Sequence, residues 1–205
     1  MSYKITLWAI VLFLSANSFV SSRQTAGGLP VKKWIISKNS SLSVNGSTNV
    51  NKFSCVIPTY DQVDTLTLST NKTDTKVILS GTIGLSISSF DCHNSGMTKQ
   101  LRKTLNEQKF PALRIKFLSL NKIPVLTTNL QSITGLVEIE IAGVGKRFEV
   151  NYQITKNDQK NILLLGTREI NFSDFNLVPP RKLGGMIKTK DQLSVNFRLN
   201  MISMN

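Results

Sequence analysis

Few groups in this chain could do covalent chemistry. There is one histidine, His93, two cysteines, Cys55 and Cys92, and 12 Asp+Glu. Acid–base or nucleophilic catalysis needs a base beside a nucleophile, or carboxylates held in opposed states. The carboxylates nearest to such a role, Asp61, Asp64 and Asp74, sit in stretches that read as turns. His93 follows Cys92 at a strand-to-helix corner, where a surface or capping role fits better than base catalysis. No catalytic residue is assigned, and the chain is not read as an enzyme. Two Cys and one His also lack the paired spacing of a zinc cluster, so no metal is expected. The cysteines have simpler chemistry open to them. In an oxidising compartment, a pair that meets in space forms one disulfide, here closing a loop of about 38 residues and contributing about 4 kcal/mol on the loop-entropy model. Free thiols are the alternative.

The compartment is set by the first residues. Lys4 precedes the apolar run Ile5 to Ala16, and small residues follow at Ser18, Ser21 and Ser22. This is the charged start, short apolar middle and small-residue cleavage zone of a secretory signal. The run is shorter than the roughly 20 residues that span a bilayer. Val20 and Ser22 suit the positions before a cut, so residues 1–22 are read as a signal peptide and the mature chain starts near Arg23. No cysteine at that point offers a lipid anchor. The expected location is periplasmic or secreted. Residues 23–205 carry no repeat and no Pro/Gly/Ser-rich linker, and their length suits one domain with a real core.

The charge balance is strongly basic, with 25 Lys+Arg giving a net +13. Such a surface attracts polyanions. An exported protein does not meet nucleic acid, so the candidate partners are anionic membrane headgroups or an acidic cell-surface polymer. The basic residues are mostly scattered, as on any solvated surface, and the densest cluster is Arg181, Lys182, Lys188 and Lys190. Four Asn-x-Ser/Thr triplets, at Asn39, Asn45, Asn71 and Asn171, are read as accidental in a chain rich in these residues.

The elements that would position any site are mainly strands. Apolar residues alternate with polar ones from Val77 to Ile87, at Leu113, Ile115 and Phe117, and at Val137, Ile139 and Ile141. The same period of two recurs at Phe148, Val150, Tyr152 and Ile154, and from Leu193 to Met201. Alternation of this kind marks antiparallel strands with one apolar and one solvated face. Many such strands predict a barrel or a sandwich. One interval breaks the pattern. Met97, Leu101 and Leu105 are four apart, Asn94 or Ser95 can cap the start, and Phe110-Pro111 ends the run. The spacing predicts one amphipathic helix over about 95–109, packed on one end of the sheet or lining a ligand mouth.

Read in order, these phrases resemble the YceI-like family. A Trp-led first strand appears as Trp34-Ile35-Ile36, followed by a Ser-x-Leu-x-Val-x-Gly-x-Thr-Asn element from Ser41 to Asn49. Phe53-Ser54-Cys55 and Ser89-Phe90-Asp91-Cys92 match the cysteine-bearing subgroup, with Met97 leading the helix. Phe110-Pro111, Ile115-Lys116-Phe117 and the strand from Gly135 to Gly143 come next. Asp174-Phe175, Pro179-Pro180, Gly184-Gly185 and the closing strand Asp191 to Leu199 complete the match. Val137 stands where Leu is usual, and the turn reads Gly143-Val144-Gly145-Lys146 where a Gly-Val-Thr-Lys is usual.

The resemblance implies an all-β, eight-stranded antiparallel lipocalin-like barrel with one helix. It also implies a long apolar tunnel for a polyisoprenoid or similar long-chain amphiphile, serving transport, storage or a stress response. No cofactor is implied beyond that isoprenoid-type lipid. The inward alternates are then the expected cavity lining: Leu79, Ile83 and Leu85; Ile115 and Phe117; Val137 and Ile139; Phe148, Val150 and Tyr152; Ile170 and Phe172; Val195 and Phe197. The rival expectation is a barrel packed solid by its own side chains, whose basic surface binds anionic polymers or headgroups.

Overall fold

The computed structural model describes residues 31–70, 77–157 and 161–204. The leader assigned to residues 1–22, with Asn71 and Asp74, lies outside the described residues. The described chain opens with two strands in line, β1 (Val31–Ile36) and β2 (Ser41–Thr48). Both run antiparallel to one long strand, β11 (Ile187–Met204). Ile36 faces Met201 near its C-terminal end, and Ser41 faces Arg198 further back. A 2.8 Å bond from Ser37 N–H to the Asn200 carbonyl carries the ladder across the break. β3 (Lys52–Ile57) and β4 (Thr65–Thr70) repeat this division next door, β3 on β2 and β4 on β1.

The rest is a meander of β5 (Val77–Ser86), β6 (Ala112–Leu120), β7 (Gln131–Ile141), β8 (Val144–Lys156) and β9 (Asn161–Asn171). Each is antiparallel to its neighbours, and β9 pairs with β11 from Gln192 to Ile202. With β1–β2 and β3–β4 each taken as one broken strand, eight antiparallel strands close into a barrel. Closure pairs the hydrogen-bonding edges that an open sheet would expose. A two-residue strand, β10 (Arg181–Lys182), folds back on the start of β11.

The alternating pattern explains why the sheet curls around an apolar interior. In β8, Phe148, Val150, Tyr152 and Ile154 are buried while Glu149, Asn151 and Gln153 are exposed. Two glycines make room for rings inside. A side chain at Gly166 would run into the Phe197 ring, and one at Gly135 would meet the Tyr152 ring and the Ser119 carbonyl. Phe197 then packs on Tyr152 with centroids 5.8 Å apart and on Phe117 at 6.5 Å, both edge-on. These three rings fill the waist of the barrel.

The predicted helix is present but shorter. α1 spans Ser95–Thr104, with the Asn94 side chain accepting the Met97 N–H at 2.9 Å as its cap. It ends at Thr104, short of the expected 109, because Asn106 turns left-handed at φ 56. Asn106 N–H then bonds the Lys103 carbonyl and Glu107 N–H the Arg102 carbonyl, a Schellman ending that asparagine tolerates. Leu105 lies beyond the last helical residue yet remains buried. A second departure concerns Phe172, expected on a strand. It begins a 3₁₀ turn, Phe172–Phe175, whose ends are tied by Asn171 and Asp174 bonding each other's backbone N–H.

Candidate functional site

One end of the barrel gathers the β2–β3 turn, α1, the β7–β8 turn and the segment from Phe172 to Lys190. The disulfide Cys55–Cys92 fastens α1 there, joining β3 to the residues just before the helix. Beside it, Val56 and Asp91 exchange two backbone hydrogen bonds of 2.7 and 2.8 Å. The Arg102 side chain holds the other flank by donating to the carbonyls of Ser88 and Phe90.

Between α1, the β2–β3 turn and the β10–β11 hairpin lies a cavity of about 140 Å³. Its inner wall is Phe53, Cys55, Met97, Leu101 and Phe172, and its outer wall is Val50, Pro180 and Ile187. Thr48, Asn51, Gln100, Lys182 and Thr189 supply polar groups on the same lining. Below it a second cavity, about 50 Å³, lies among Leu42, Val44, Leu105, Leu113, Ile115, Ile139, Ile170, Phe175 and Val195. Leu101 and Phe172 line both cavities and form the partition between them. A third space, of about 10 Å³, continues past Leu42 to Ile83, Leu85 and Phe197.

The expected lining residues divide into two groups. Ile83, Leu85, Ile115, Ile139, Ile170, Phe172, Val195 and Phe197 border these spaces. Leu79, Phe117, Val137, Phe148, Val150 and Tyr152 are equally buried but border none of the three; Phe117 and Tyr152 pack on Phe197, and Phe148 on Phe175. Among the described residues, these three spaces run inward from the mouth as far as Phe197. The strand pattern missed Met97, Gln100 and Leu101 from the helix and Phe53, Pro180 and Ile187 from the mouth. The four-residue spacing of Met97 and Leu101 offers that helix stripe as the lining of a ligand mouth, and the structure places both residues there. The hairpin residues carried no such signal.

Three buried side-chain polar atoms have no hydrogen-bond partner among the described residues: the Tyr152 hydroxyl, the Trp34 indole N–H and the Arg102 Nε–H. Burial pushes the Tyr152 hydroxyl well above the usual phenol range, since the phenolate would lie in an apolar interior. Tyr60 is shifted the same way, first by burial and then by its hydrogen bond to the Asp64 carboxylate. The remaining titratable groups lie outward. His93 stands 4.0 Å from Asp91, both well exposed, on a broad open trough along the outer side of α1. Among the described residues, no group of three or more His, Cys, Asp or Glu could hold a metal ion.

No protein-family model and no curated protein matches the chain. Solved structures do. A polyisoprenoid-binding domain from Saccharophagus degradans, implicated in plant cell wall breakdown, superposes with a TM-score of 0.58 at 10 % identity, covering 83 % of this chain and 98 % of its own. The chain has the YceI-like fold. BcnA of Burkholderia cenocepacia gives a TM-score of 0.58 at 14 % identity over 78 % of this chain and 95 % of that one. A mutant Campylobacter jejuni YCEI protein gives 0.51 at 16 % identity, over 78 % and 86 %. In this YceI-like barrel the sequence phrases fall on its seams: Trp34 buried on β1, Cys55 and Cys92 joined, and Phe175 packed under the helix end.

Proposed function

We propose that this protein binds the tail of a long-chain amphiphile, of the polyisoprenoid type, through the mouth beside α1. The observation that carries the reading is the adjacency of the mouth to a mainly apolar inner space, with Leu101 and Phe172 lining both. The similarity in fold to a polyisoprenoid-binding domain supports it. The mouth, at about 140 Å³, is close to the cavity size that takes one benzene-sized group. A longer tail therefore enters by turning these two side chains aside, and each CH₂ then buried contributes about 0.8 kcal/mol. The polar lining at Gln100, Lys182 and Thr189 suits a head group held at the opening. The disulfide supports folding in an oxidising compartment, so the protein acts in the periplasm or outside the cell. The reading calls for no further cofactor, and carriage, storage or a stress response are the roles such binding would serve.

The deciding experiment is mass spectrometry of an organic extract from natively purified protein, run beside a Leu101→Trp variant. We expect a lipid with a long unsaturated tail from the wild type and several-fold less from the variant. If neither the extract nor incubation with polyprenyl compounds loads the wild type, the tail-binding reading is wrong. The packed-barrel alternative, a protein whose basic surface binds anionic polymers, would then stand.

A further inference from the structure

The rim of the mouth is unlike the rest of the surface in two respects at once. Three elements ring it: the β2–β3 turn, α1, and the hairpin formed by β10 and the start of β11. The turn and the hairpin, residues 48–52 and 180–190, contain Lys52, Arg181, Lys182, Lys188 and Lys190 and no Asp or Glu. Asp191 just beyond is bonded to Ser173, and Lys99, Arg102 and Lys103 lie on the outer trough of α1 with Asp91 and Glu107. Apolar side chains also stand outward here. Val50 is 65 % exposed, Leu183 65 % and Met186 71 %. They form one surface because the Asn49 side chain bonds both the Met186 carbonyl and the Lys188 N–H at 2.9 Å, fastening the turn to the hairpin. Leu183 is left-handed at φ 50, an uncommon state for leucine, and begins the tip that Gly184 and Gly185 complete.

Apolar tips set among cations and free of carboxylates are the arrangement that enters the interface of an anionic bilayer, with chains in the acyl boundary and lysines over the headgroups. A soluble polyanion would use the charges but would gain nothing from Leu183 and Met186. The opposite end of the barrel also exposes apolar residues, Ile123, Val125 and Leu130, but its 121–130 loop carries the single basic residue Lys122 and none of it borders the cavities.

We infer that the protein docks mouth-down on an anionic lipid bilayer, inserting Leu183 and Met186 and resting Arg181, Lys182, Lys188 and Lys190 on the headgroups. The inference deepens the tail-binding reading by naming the surface from which the cargo enters. In that pose the opening faces the membrane, and an acyl or prenyl tail can pass from one apolar phase to another without crossing bulk water.

The test is co-sedimentation of the full mature chain with vesicles of phosphatidylcholine alone or mixed with phosphatidylglycerol, at low and physiological ionic strength. The variants are Leu183→Asn with Met186→Asn, Arg181→Glu with Lys188→Glu, and the control Ile123→Asn with Val125→Asn. All substitutions are at exposed positions, and each variant's thermal melt is checked against the wild type. We expect the wild type to bind the anionic vesicles, and more weakly at higher salt. The apolar pair should weaken binding at least about tenfold. The charge pair should weaken it by about fivefold or more per residue, with a smaller salt effect, and the control should leave it unchanged. No binding to anionic vesicles, rim variants that bind like the wild type, or equal loss in the control overturns the proposal. So does binding to an anionic polysaccharide that matches vesicle binding and ignores the apolar pair. Lipid extracted from the same samples keeps the two ideas apart. Docking without any loadable lipid sinks the carrier reading alone, and loaded protein that ignores vesicles sinks the docking alone.

Discussion

At the scale of single residues, the Tyr152 hydroxyl is the group least at ease in this fold. It is buried among Phe197, Gly135 and Val150 on an apolar wall, and it has no acceptor among the described residues. A buried hydroxyl without a partner costs about 1–3 kcal/mol of desolvation. Tyr152→Phe keeps the ring contact with Phe197 and removes that cost. The variant should therefore be more stable by about 1 kcal/mol, read as a higher denaturant midpoint with an unchanged slope. An unchanged or lower midpoint would mean that the hydroxyl has found a partner such as an enclosed water. Nothing in the sequence marked Tyr152 as different from Phe117 or Val150, since a strand pattern reports which face a residue takes and not whether its neighbours leave space. For the same reason the pattern placed the six residues of the packed group and the eight of the cavity group on one undifferentiated inner face.

At the scale of elements, the helix is the part whose position decides whether there is a mouth at all. Its ten residues bury one narrow stripe; its N-terminal end is held by the Asn94 cap and the Cys55–Cys92 link, and its last turn by the Arg102 bonds. Reduction of that link should destabilise the fold by about 4 kcal/mol, less any strain relieved. Because Met97, Gln100 and Leu101 all face the mouth, it should also loosen α1 before the barrel melts. Hydrogen exchange with and without reductant checks this: faster exchange in 95–104 with β7 and β8 protected is expected, whereas equal protection throughout would show that packing alone holds the helix. The existence of this helix was legible from Met97, Leu101 and Leu105, and its start from Asn94. Its end was not, because Asn106 closes it through a left-handed turn whereas the sequence offered the more conspicuous stop at Phe110-Pro111.

At the scale of the whole molecule, strand alternation made the all-β class readable and the family resemblance supplied the strand number. The way the ring is completed was not readable. That β1 and β2 share β11 end to end depends on pairings between residues more than 140 positions apart, and no local signal encodes them. The interior that results carries two buried tyrosines, Tyr60 and Tyr152, whose hydroxyls hold their protons more tightly than in the unfolded chain. Their neutral forms thus contribute stability that is fully present below the ordinary phenol value of about 10 and is lost as pH rises above it. Alkaline titration followed by tyrosinate absorbance and circular dichroism should show part of the absorbance appearing only together with unfolding. A complete absorbance change at about pH 10 with the sheet signal intact would contradict the burial of both rings.

The shared long strand also has a consequence for biogenesis. β11 is the last strand of the ring in chain order, yet it supplies the partner for β1, β2 and β9. A nascent polypeptide that has not yet released Ile187–Met204 leaves three edges unpaired, so no closed ring can form during synthesis. Until that strand is available, the remaining strands can form at most an open sheet.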